Sequence, residues 1–562
     1  MGERKGLTLE DQDKSWPNYW DADDQDFWER QGKRIANRNL WVSIPNLLLG
    51  FAVWIYWGMV AKYVQQLHFA TDGELFDFTF MNAGQSYEAN AYRALLFTLP
   101  AVAGLAGATL RIPNSFMIAI CGGRNVKFMT TVLLTLPALG AGIALQDHTT
   151  PFYIFIILAA LSGVGGGAFA SSSGVGGGAF ASSMSNISFF FPKKMQGLAL
   201  GLNAGLGNLG VSVMQFLIPW VVTFQMFGSL SGDPYEYLAD SATKQMWIQN
   251  ASLVWVPILA FFAVLAFFLM SNLPFHRCGP TPIAVAKYLW LTVLGFVGAA
   301  VGIVLLIIPW GGFPMLLKTF VIVVVAVAVT LGAMRYLTPR ETRAGLKEQF
   351  GIFKLKHNWI MTYLYVMTFG SFIGYANAFP KLIDDVFGVI PVGDHAGEPT
   401  GLSSAAFIWI GAGVGALIRP VGGWLSDKIG GARVTHWDTI IMIASTIGAG
   451  YTVSLAMQSP DPTQYFVVFL LLFIVLFATT GIGNGSTFRM IGVIFAKDVR
   501  GPVLGWTSAI AAYGAYLIPK IFATQIQAGT PQYALYGFAA YYASCLVLNW
   551  WFYARKGAEV SC

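Results

Sequence analysis

The sequence predicts an all-α integral membrane protein, and three features lead to that prediction: few charged residues, a succession of long apolar runs, and an internal repeat. Of the 562 residues, 55% are apolar and only 11% are charged, whereas soluble domains carry about 25% charged residues. The mean hydropathy is +0.58. This number of charged residues is too small to cover the surface of a soluble chain of 61.0 kDa. A surface that faces lipid needs few of them.

Fourteen charge-poor runs are each long enough to cross a bilayer, for which about 20 apolar residues are needed. They lie at 40–64, 94–121, 127–146, 151–192, 197–224, 250–273, 284–310, 314–336, 358–380, 402–425, 437–457, 464–495, 502–526 and 532–554. Basic residues collect in alternate loops, as at Lys193, and acidic residues in the others, as at Asp384. By the positive-inside rule we expect both termini to be cytoplasmic. Residues 1–39 are polar and acidic, unlike a signal peptide.

An internal repeat divides these runs into two halves. Arg111 and Arg419 are each followed, eleven positions later, by a glycine that opens a Gly-Gly pair. The segment KKMQGLALG at 193–201 is also similar to KDVRGPVLG at 497–505. Two halves with the same order of landmarks and the same membrane orientation indicate parallel repeats, which is the plan of the major facilitator fold.

The predicted organisation is two six-helix bundles joined by an extra helix pair. The segments are a cytoplasmic N-terminal segment 1–39, a first six-helix bundle 40–273, an inter-bundle region 274–357 with two further transmembrane helices and a basic cytoplasmic loop, a second six-helix bundle 358–556, and a cytoplasmic tail 557–562. An even number of added crossings keeps the second bundle in the membrane orientation of the first.

The eleven residues SGVGGGAFASS occur twice in tandem, at 162–172 and 173–183. The charge-free segment that contains them, 151–192, would measure roughly 60 Å as one straight helix, about twice the hydrocarbon thickness. We therefore interpret the repeat as a duplication without a role of its own, in which one copy is displaced or looped out at the glycines. A functional insertion is the alternative.

Arg111 and Arg419 are the strongest candidate site residues, because both lie inside apolar runs at equivalent places of the two halves. Burying an arginine in a membrane costs at least about 2.5 kcal/mol, so its presence indicates a function. The alternative is that both side chains snorkel to the cytoplasmic surface. A guanidinium offers a planar fork of donors, which suits a small planar oxyanion. The pair therefore predicts one cavity that binds a small anion.

We expect no Asp or Glu within the spans, and the six histidines lie in loops or at span ends. A proton-coupled carrier usually needs a titratable group at membrane depth, so this interpretation favours exchange of one anion for another. Two like charges facing one empty cavity also repel each other when it closes, which again favours exchange. Arg489 is a third arginine in an apolar run, and either a pathway role or a structural role is open for it.

Two glycine-rich stretches, GLNAGLGNLGVS at 201–212 and ATTGIGNGSTFRM at 478–490, have small residues at the spacings of close helix crossings. Their glycines are Gly201, Gly205, Gly207, Gly210, Gly481, Gly483 and Gly485. Packing alone explains these glycines, whereas Asn208 has two interpretations, a substrate contact and an interhelical hydrogen bond. Neither stretch has the GxxxxGK[ST] pattern of a phosphate-binding loop.

Several stretches together resemble the nitrate/nitrite porter (NarK-type) family of the major facilitator superfamily. They are RNLWVSIPNLLLGFAVW at 38–54, RIPNSFM at 111–117, the segment 180–212, TFGSFIGY at 368–375 and GIGNGSTFRMIGVIF at 481–495. The resemblance covers both halves and implies exchange or symport of nitrate and nitrite across the bacterial inner membrane. It also implies that Arg111 and Arg419 bind the anion.

The resemblance further implies a set of cavity residues around the two arginines, which are Phe51, Phe180, Asn208, Tyr365 and Phe369. The aromatic rings would sandwich the flat anion, while Tyr365 and Asn208 would donate hydrogen bonds. Core or lipid packing is the alternative for each phenylalanine. The sequence departs from the family pattern at Ala179, where the family often has Asn. The duplication also leaves open whether Phe180 or Phe169 takes the cavity position.

These observations predict a nitrate/nitrite antiporter, with proton-coupled nitrate symport as the alternative and a nitrate sensor without transport as a more remote one. The spans contain no nucleophile, base or metal cluster of an enzyme, and the four cysteines are scattered without a CxxC pair. We expect no cofactor and no metal. The expected partners are nitrate, nitrite and the lipid bilayer, without nucleic acid, and the chain is expected to be monomeric.

Overall fold

The computed structural model describes residues 17, 19–78, 89–115, 117–168, 186–187, 190–239, 242–274, 280–339, 343, 347 and 350–562. Most of these residues are helical. Residues 169–185 lie outside the described residues, and they contain most of the tandem repeat together with Phe169, Ala179 and Phe180. The interpretations of the repeat and of those residues therefore stay predictions.

The first half contains eleven of the described helices. They are α1 (Gln25–Phe27), α2 (Lys33–Ile55), α3 (Trp57–Ala70), α4 (Ala89–Leu96), α5 (Thr98–Asn114), α6 (Met117–Cys121), α7 (Gly123–Ala144), α8 (Phe152–Ala168), α9 (Lys193–Val221), α10 (Asn250–Leu253) and α11 (Trp255–Leu269), with a π-helical turn at Trp28–Gly32 and a 3₁₀ turn at Gly228–Ser231. An antiparallel hairpin of β1 (Tyr235–Ala239) and β2 (Ala242–Met246) follows α9, with Tyr235 opposite Met246. This hairpin lies in the polar loop between two apolar runs and was not predicted from the sequence.

The extra pair and the second half complete the chain. The helices are α12 (Thr281–Ile307) and α13 (Met315–Leu337) in the extra pair, followed by α14 (Lys356–Tyr365), α15 (Ser371–Phe387), α16 (Ile408–Leu417), α17 (Arg419–Ile429), α18 (Gly431–Ala456), α19 (Phe466–Ile494), α20 (Lys497–Ala511), α21 (Gly514–Gln527) and α22 (Gln532–Asn549). The π-helical turns are Val366–Gly370 and Trp550–Ala554, and the 3₁₀ turns are Phe350–Lys354, Ser404–Ala406 and Pro462–Tyr465.

Ten helical segments of the described chain are long and apolar enough to cross a membrane. They coincide with ten of the fourteen predicted runs. The other four runs coincide with shorter or interrupted helices, namely α8, α14 with α15, α20 with α21, and α22. The all-α membrane fold is thus confirmed, while the count of fourteen crossings stays a prediction.

The repeat that the sequence predicted is visible in the backbone. Gly122 precedes α7 with φ 81° and ψ 145°, and Gly430 precedes α18 with φ 93° and ψ 137°. Positive φ of this size is the region that glycine adopts without steric cost. The glycines that precede these equivalent helices of the two halves therefore have the same backbone geometry.

The helices of each half pack tightly, and the halves meet along several helix pairs. In the first half α5 packs on α8 and α2 on α9, and in the second half α18 packs on α19 and α22. Between the halves, α9 contacts α16 and α5 contacts α21. A Cβ atom on Gly104 of α5 would overlap the carbonyl of Ala515, so glycine allows the two backbones to touch there.

The extra pair belongs structurally to both halves. Helices α12 and α13 pack on each other, and both contact α5 of the first half. Helix α13 also contacts α21 of the second half. Large apolar side chains such as Trp290, Val297 and Val324 point outward from this pair, as expected for helices that face lipid.

Candidate functional site

Arg111 lies near the end of α5 and is buried, with 1% of its surface exposed. Its Nη1 atom donates hydrogen bonds to Ser508 of the second half, 3.2 Å to Oγ and 3.3 Å to the carbonyl oxygen. Its guanidinium carbon lies 5.0 Å from the ring centres of both Trp54 and Phe369. A cation over an aromatic face at this distance is attracted by the ring quadrupole. Arg111 therefore lies at the contact between the halves and does not snorkel to a surface.

Arg419 opens α17 and is also buried, with 4% of its surface exposed. Its Nη2 atom donates a hydrogen bond of 3.0 Å to the hydroxyl of Tyr365. Its guanidinium carbon lies 4.9 Å from the ring centre of Phe488. The two arginines thus have the same kind of surroundings, with a hydrogen-bond acceptor and an aromatic face each.

Tyr365 and Phe369 connect the two arginines. Their rings stack with centres 5.6 Å apart and planes 8° from parallel, and both side chains are completely buried. Phe369 lies under Arg111 and Tyr365 accepts from Arg419. Phe369 lies within the π-helical turn Val366–Gly370 and Tyr365 directly precedes it, and such turns are frequent at functional sites. The structure therefore brings four of the seven predicted site residues into one cluster.

The other predicted site residues fall at different distances from this cluster. Phe51 of α2 is buried and its ring centre lies 6.2 Å from that of Trp54, so it belongs to the next layer around Arg111. Asn208 of α9 is buried, and its Oδ1 atom accepts no hydrogen bond from the described residues. The interhelical hydrogen bond considered for Asn208 is therefore not seen through that atom. Phe180 lies outside the described residues.

Trp54, Phe488 and Ser508 contact the two arginines but were missed from the sequence. Trp54 follows Phe51 by three positions on α2, so the helical period puts the two rings on one face. Phe488 lies in the second glycine-rich stretch, directly before Arg489. For these two residues, the sequence therefore contained a pattern that could have indicated a place near the arginines. Ser508 carried none, because a lone serine in an apolar run is usually a packing residue.

The glycines of the two glycine-rich stretches serve helix contacts. A Cβ atom on Gly207 or Gly210 would overlap Leu47 or Leu48 of α2. On Gly485 it would lie 2.5 Å from the carbonyl oxygen of Arg419. The predicted packing role is thus visible, and for Gly485 it involves the backbone that carries a site arginine.

Arg489 forms an ion pair with an aspartate of α17. Its Nε atom lies 2.5 Å from Oδ1 of Asp427 on α17, and both side chains are partly exposed, at 43% and 64%. The pair joins α19 to α17 away from the buried cluster. Of the two roles left open for Arg489, the structure thus supports the structural one, with a carboxylate as its partner.

Asp438 shows that one expectation was wrong. It lies two turns into α18, is 5% exposed, and its Oδ2 atom accepts no hydrogen bond in the described part of the chain. A Cβ atom on Gly483 would lie 2.8 Å from that oxygen, so the carboxyl group packs against the second glycine-rich stretch. The spans are therefore not free of acidic residues. Asp438 is the second residue of the predicted run 437–457, so the expectation was already at odds with the sequence. Because the helix α18 begins at Gly431, Asp438 lies two turns inside it and not at its end.

A charged cluster joins the halves at one end of the molecule. It consists of Lys62, Arg93, Lys381, Asp384 and Asp385. Lys62 lies 3.3 Å from Asp384, Arg93 lies 3.7 Å from Asp385, and Lys381 lies 2.9 Å from Asp385. Lys62 and Arg93 belong to α3 and α4, whereas the other three belong to α15. The sequence placed Asp384 in a loop, but α15 extends to Phe387 and includes it.

No group of three His, Cys, Asp or Glu side chains that could hold a metal ion occurs among the described residues. No family model matches the sequence. Two pseudo-symmetric helical halves with two buried arginines between them have the architecture of the major facilitator fold. Solved structures with this fold include the proton:xylose symporter XylE bound to 6-bromo-6-deoxy-D-glucose, with a TM-score of 0.54, 15% identity, and coverage of 94% of this chain and 98% of that one. A POT family transporter in complex with 5-aminolevulinic acid gives a TM-score of 0.54 at 13% identity, with 90% and 94% covered.

Sequence relatives identify the family within this class. The chain is 34% identical over 551 residues to the "Probable nitrate/nitrite antiporter NarK2" of Thermus thermophilus, covering 98% of both. It is 32% identical over 564 residues to the "Nitrate/nitrite transporter NarU" of Escherichia coli, covering 96% of both. The chain belongs to the NarK/NarU family of nitrate/nitrite transporters, a multi-pass membrane family, which confirms the resemblance found in the sequence.

Proposed function

We propose that the protein exchanges nitrate for nitrite across the bacterial inner membrane, with the anion bound between Arg111 and Arg419. One observation carries this proposal: the two guanidinium groups enter from opposite halves and contact the same stacked pair, Tyr365 and Phe369. The names of the relatives, nitrate/nitrite antiporter and nitrate/nitrite transporter, support the same substrates.

The chemistry of the cluster suits a small, flat, singly charged oxyanion. Each guanidinium can donate two parallel hydrogen bonds to two oxygens of such an anion. The Tyr365 hydroxyl, which accepts from Arg419 here, can donate its own proton to a third oxygen. The rings of Phe369 and Trp54 each have their centre 5.0 Å from the Arg111 guanidinium carbon, and we propose Phe51, Phe180 and Asn208 as the further walls of the anion site.

The cluster of Arg111, Arg419, Tyr365 and Phe369 lies between the two halves, which supports a proposal of alternating access. In this structure the charged cluster joins the halves at one end. Exposing the site to that end requires the ion pair between Lys62 and Asp384 to separate. We propose that the two bundles, 40–273 and 358–556, rock about the bound anion, with both termini cytoplasmic and one chain as the working unit.

Proton-coupled nitrate symport is the second candidate, and Asp438 is the observation that favours it. A buried carboxyl group at membrane depth without a hydrogen bond to its Oδ2 atom is the kind of group that a proton-coupled carrier uses. Asp438 packs beside Gly483 of the second glycine-rich stretch.

Nitrate uptake into liposomes that contain the purified protein separates these functions. Vesicles are loaded with nitrite, with nitrate or with neither, each with and without a pH gradient. Exchange predicts uptake only into anion-loaded vesicles and no response to the gradient. Uptake into anion-free vesicles, driven by an acidic exterior and abolished by Asp438→Asn, would instead establish symport. If protein that retains its thermal unfolding transition shows no uptake under any condition, the result would favour a nitrate sensor without transport.

A further inference from the structure

Ser508 is a residue of the second half that contacts the guanidinium of Arg111, and its side chain is completely buried. It lies on α20, which packs against α5 of the first half. Nη1 of Arg111 donates to two oxygens of Ser508, at 3.2 Å to the hydroxyl and at 3.3 Å to the carbonyl. The carbonyl belongs to the backbone, so that contact does not require a serine. The hydroxyl contact is what the serine side chain adds.

The hydroxyl hydrogen of Ser508 is not used in the contact with Arg111. A serine hydroxyl accepts through its lone pairs and donates through its single hydrogen. Because Nη1 of Arg111 is a donor, the hydroxyl oxygen accepts here. A helical serine often donates to the carbonyl oxygen four residues earlier, as Ser426 does to Gly422, but no acceptor for the Ser508 hydrogen occurs in the part of the chain that the structure describes. That hydrogen is therefore available to a ligand of Arg111.

The contact of Arg111 with Ser508 has a counterpart at the second arginine. The hydroxyl of Tyr365 accepts from Nη2 of Arg419 at 3.0 Å. Both hydroxyls belong to the second half, with Ser508 on α20 and Tyr365 at the end of α14, whereas the two arginines come from different halves. A hydroxyl can accept from a guanidinium and donate to an anion at the same time, and unlike a carboxylate it does not neutralise the positive charge. Each candidate arginine therefore has a hydroxyl partner that suits an anion site.

We propose that the Ser508 hydroxyl donates a hydrogen bond to the bound nitrate, at the oxygen that nitrite lacks. The inference rests on the proposed function, in which the anion lies between Arg111 and Arg419. Each guanidinium fork can donate two parallel hydrogen bonds, and together the two forks match the lone pairs of two oxygens. Nitrate has a third oxygen, for which the hydroxyls of Ser508 and Tyr365 are the remaining donors. Ser508 thereby favours nitrate over nitrite and joins the anion to α20 of the second half.

Calorimetric titration of the purified full chain with nitrate and, separately, with nitrite tests this role. Ser508→Ala removes the hydroxyl, keeps the backbone carbonyl that also accepts from Arg111, and places a residue that favours helices. The Kd for nitrate should rise about tenfold, as expected for the loss of a hydrogen bond to a charged group, while the Kd for nitrite should change less than about twofold. A residue that only positioned Arg111 would affect both anions alike, so the ratio of the two Kd values separates these roles.

Thr507→Val is the matched control on the same helix. It removes a buried hydroxyl that contacts the Thr362 hydroxyl at 3.2 Å, and it should bind both anions as the wild type does. Thermal unfolding verifies that each variant is folded. If the wild type binds nitrate and Ser508→Ala binds it equally well, or loses nitrate and nitrite to the same extent, the role of Ser508 is overturned and the proposed function stands. If the wild type binds neither anion, the proposed function fails and this inference fails with it.

Discussion

At the scale of single residues, the contacts of Arg111 and Arg419 depend on the shape of the guanidinium group as well as on its charge. Arg111 donates to Ser508 while facing two rings, and Arg419 donates to Tyr365 while facing Phe488. A planar group can do both at once, since its edge donates and its faces stack. An ammonium group has the charge without the plane.

We expect Arg111→Lys and Arg419→Lys each to reduce nitrate transport tenfold or more, although the charge is retained. The physical reason is the loss of at least one charged hydrogen bond to the anion, worth about 1.5–3 kcal/mol. Initial uptake rates in liposomes at several nitrate concentrations measure this effect. Arg555→Lys, in the C-terminal region outside the cluster, is the control. Near-normal flux in either site variant would contradict the paired site.

Tyr365→Phe should lower the apparent affinity for nitrate about tenfold, because it removes the hydroxyl that binds Arg419 and leaves the stacked ring in place. Tyr363→Phe is a matched control one half-turn away on α14, where the hydroxyl binds Ser544 at 2.7 Å instead. The KM for nitrate uptake distinguishes the two. An equal effect of both substitutions would show that Tyr365 acts through general packing.

At the scale of helices, the second glycine-rich stretch allows α19 to approach α17 closely. Gly485 lies against the backbone of Arg419, so the same contact that packs two helices also positions a candidate site residue. The sequence pattern predicted close packing in this stretch but did not identify its partner. The partner depends on which helices lie side by side, and a single stretch contains no information about that.

Gly485→Ala should lower the thermal unfolding temperature by at least a few degrees and weaken nitrate binding as well. Its Cβ would lie 2.5 Å from the Arg419 carbonyl oxygen and 2.6 Å from the Gly423 nitrogen, and such overpacking costs about 1–3 kcal/mol. Gly492→Ala on the same helix is the control, because its Cβ meets nothing within 4 Å and alanine favours the helix by up to about 1 kcal/mol. If Gly485→Ala changed neither the unfolding temperature nor nitrate binding, α17 would be able to shift at no cost in free energy.

At the scale of the whole molecule, the charged cluster connects the halves at one end, and its ion pairs are largely buried. The side chains of Lys62 and Asp384 are 6% and 19% exposed, and Lys381 and Asp385 are 1% and 3% exposed. Removing one partner of such a pair leaves a buried charge uncompensated, which is costly. The cluster therefore stabilises the arrangement of halves seen here.

Lys62→Asp should slow transport at least fivefold, since it places two carboxylates where an ion pair stood. The swapped double variant Lys62→Asp with Asp384→Lys should recover most of the rate. The same exchange at Lys356 and Glu559, an ion pair of 2.6 Å whose side chains are about half exposed, should change little. Exchange rates in liposomes measure all of these. Failure of the swap to restore transport would argue that the individual side chains matter, beyond the pairing.

The sequence by itself determined the membrane setting, the two-half repeat and the family, and it indicated the two arginines as candidate site residues, because hydropathy, spacing and motifs can be read along a single chain. Only the tertiary structure decided which side chains meet. Trp54 and Phe488 join the arginines, Arg489 pairs with Asp427, and Asp438 lies buried in α18. These contacts join residues far apart in the chain. They depend on helix bounds and on helix neighbours, and packing of the whole bundle sets both.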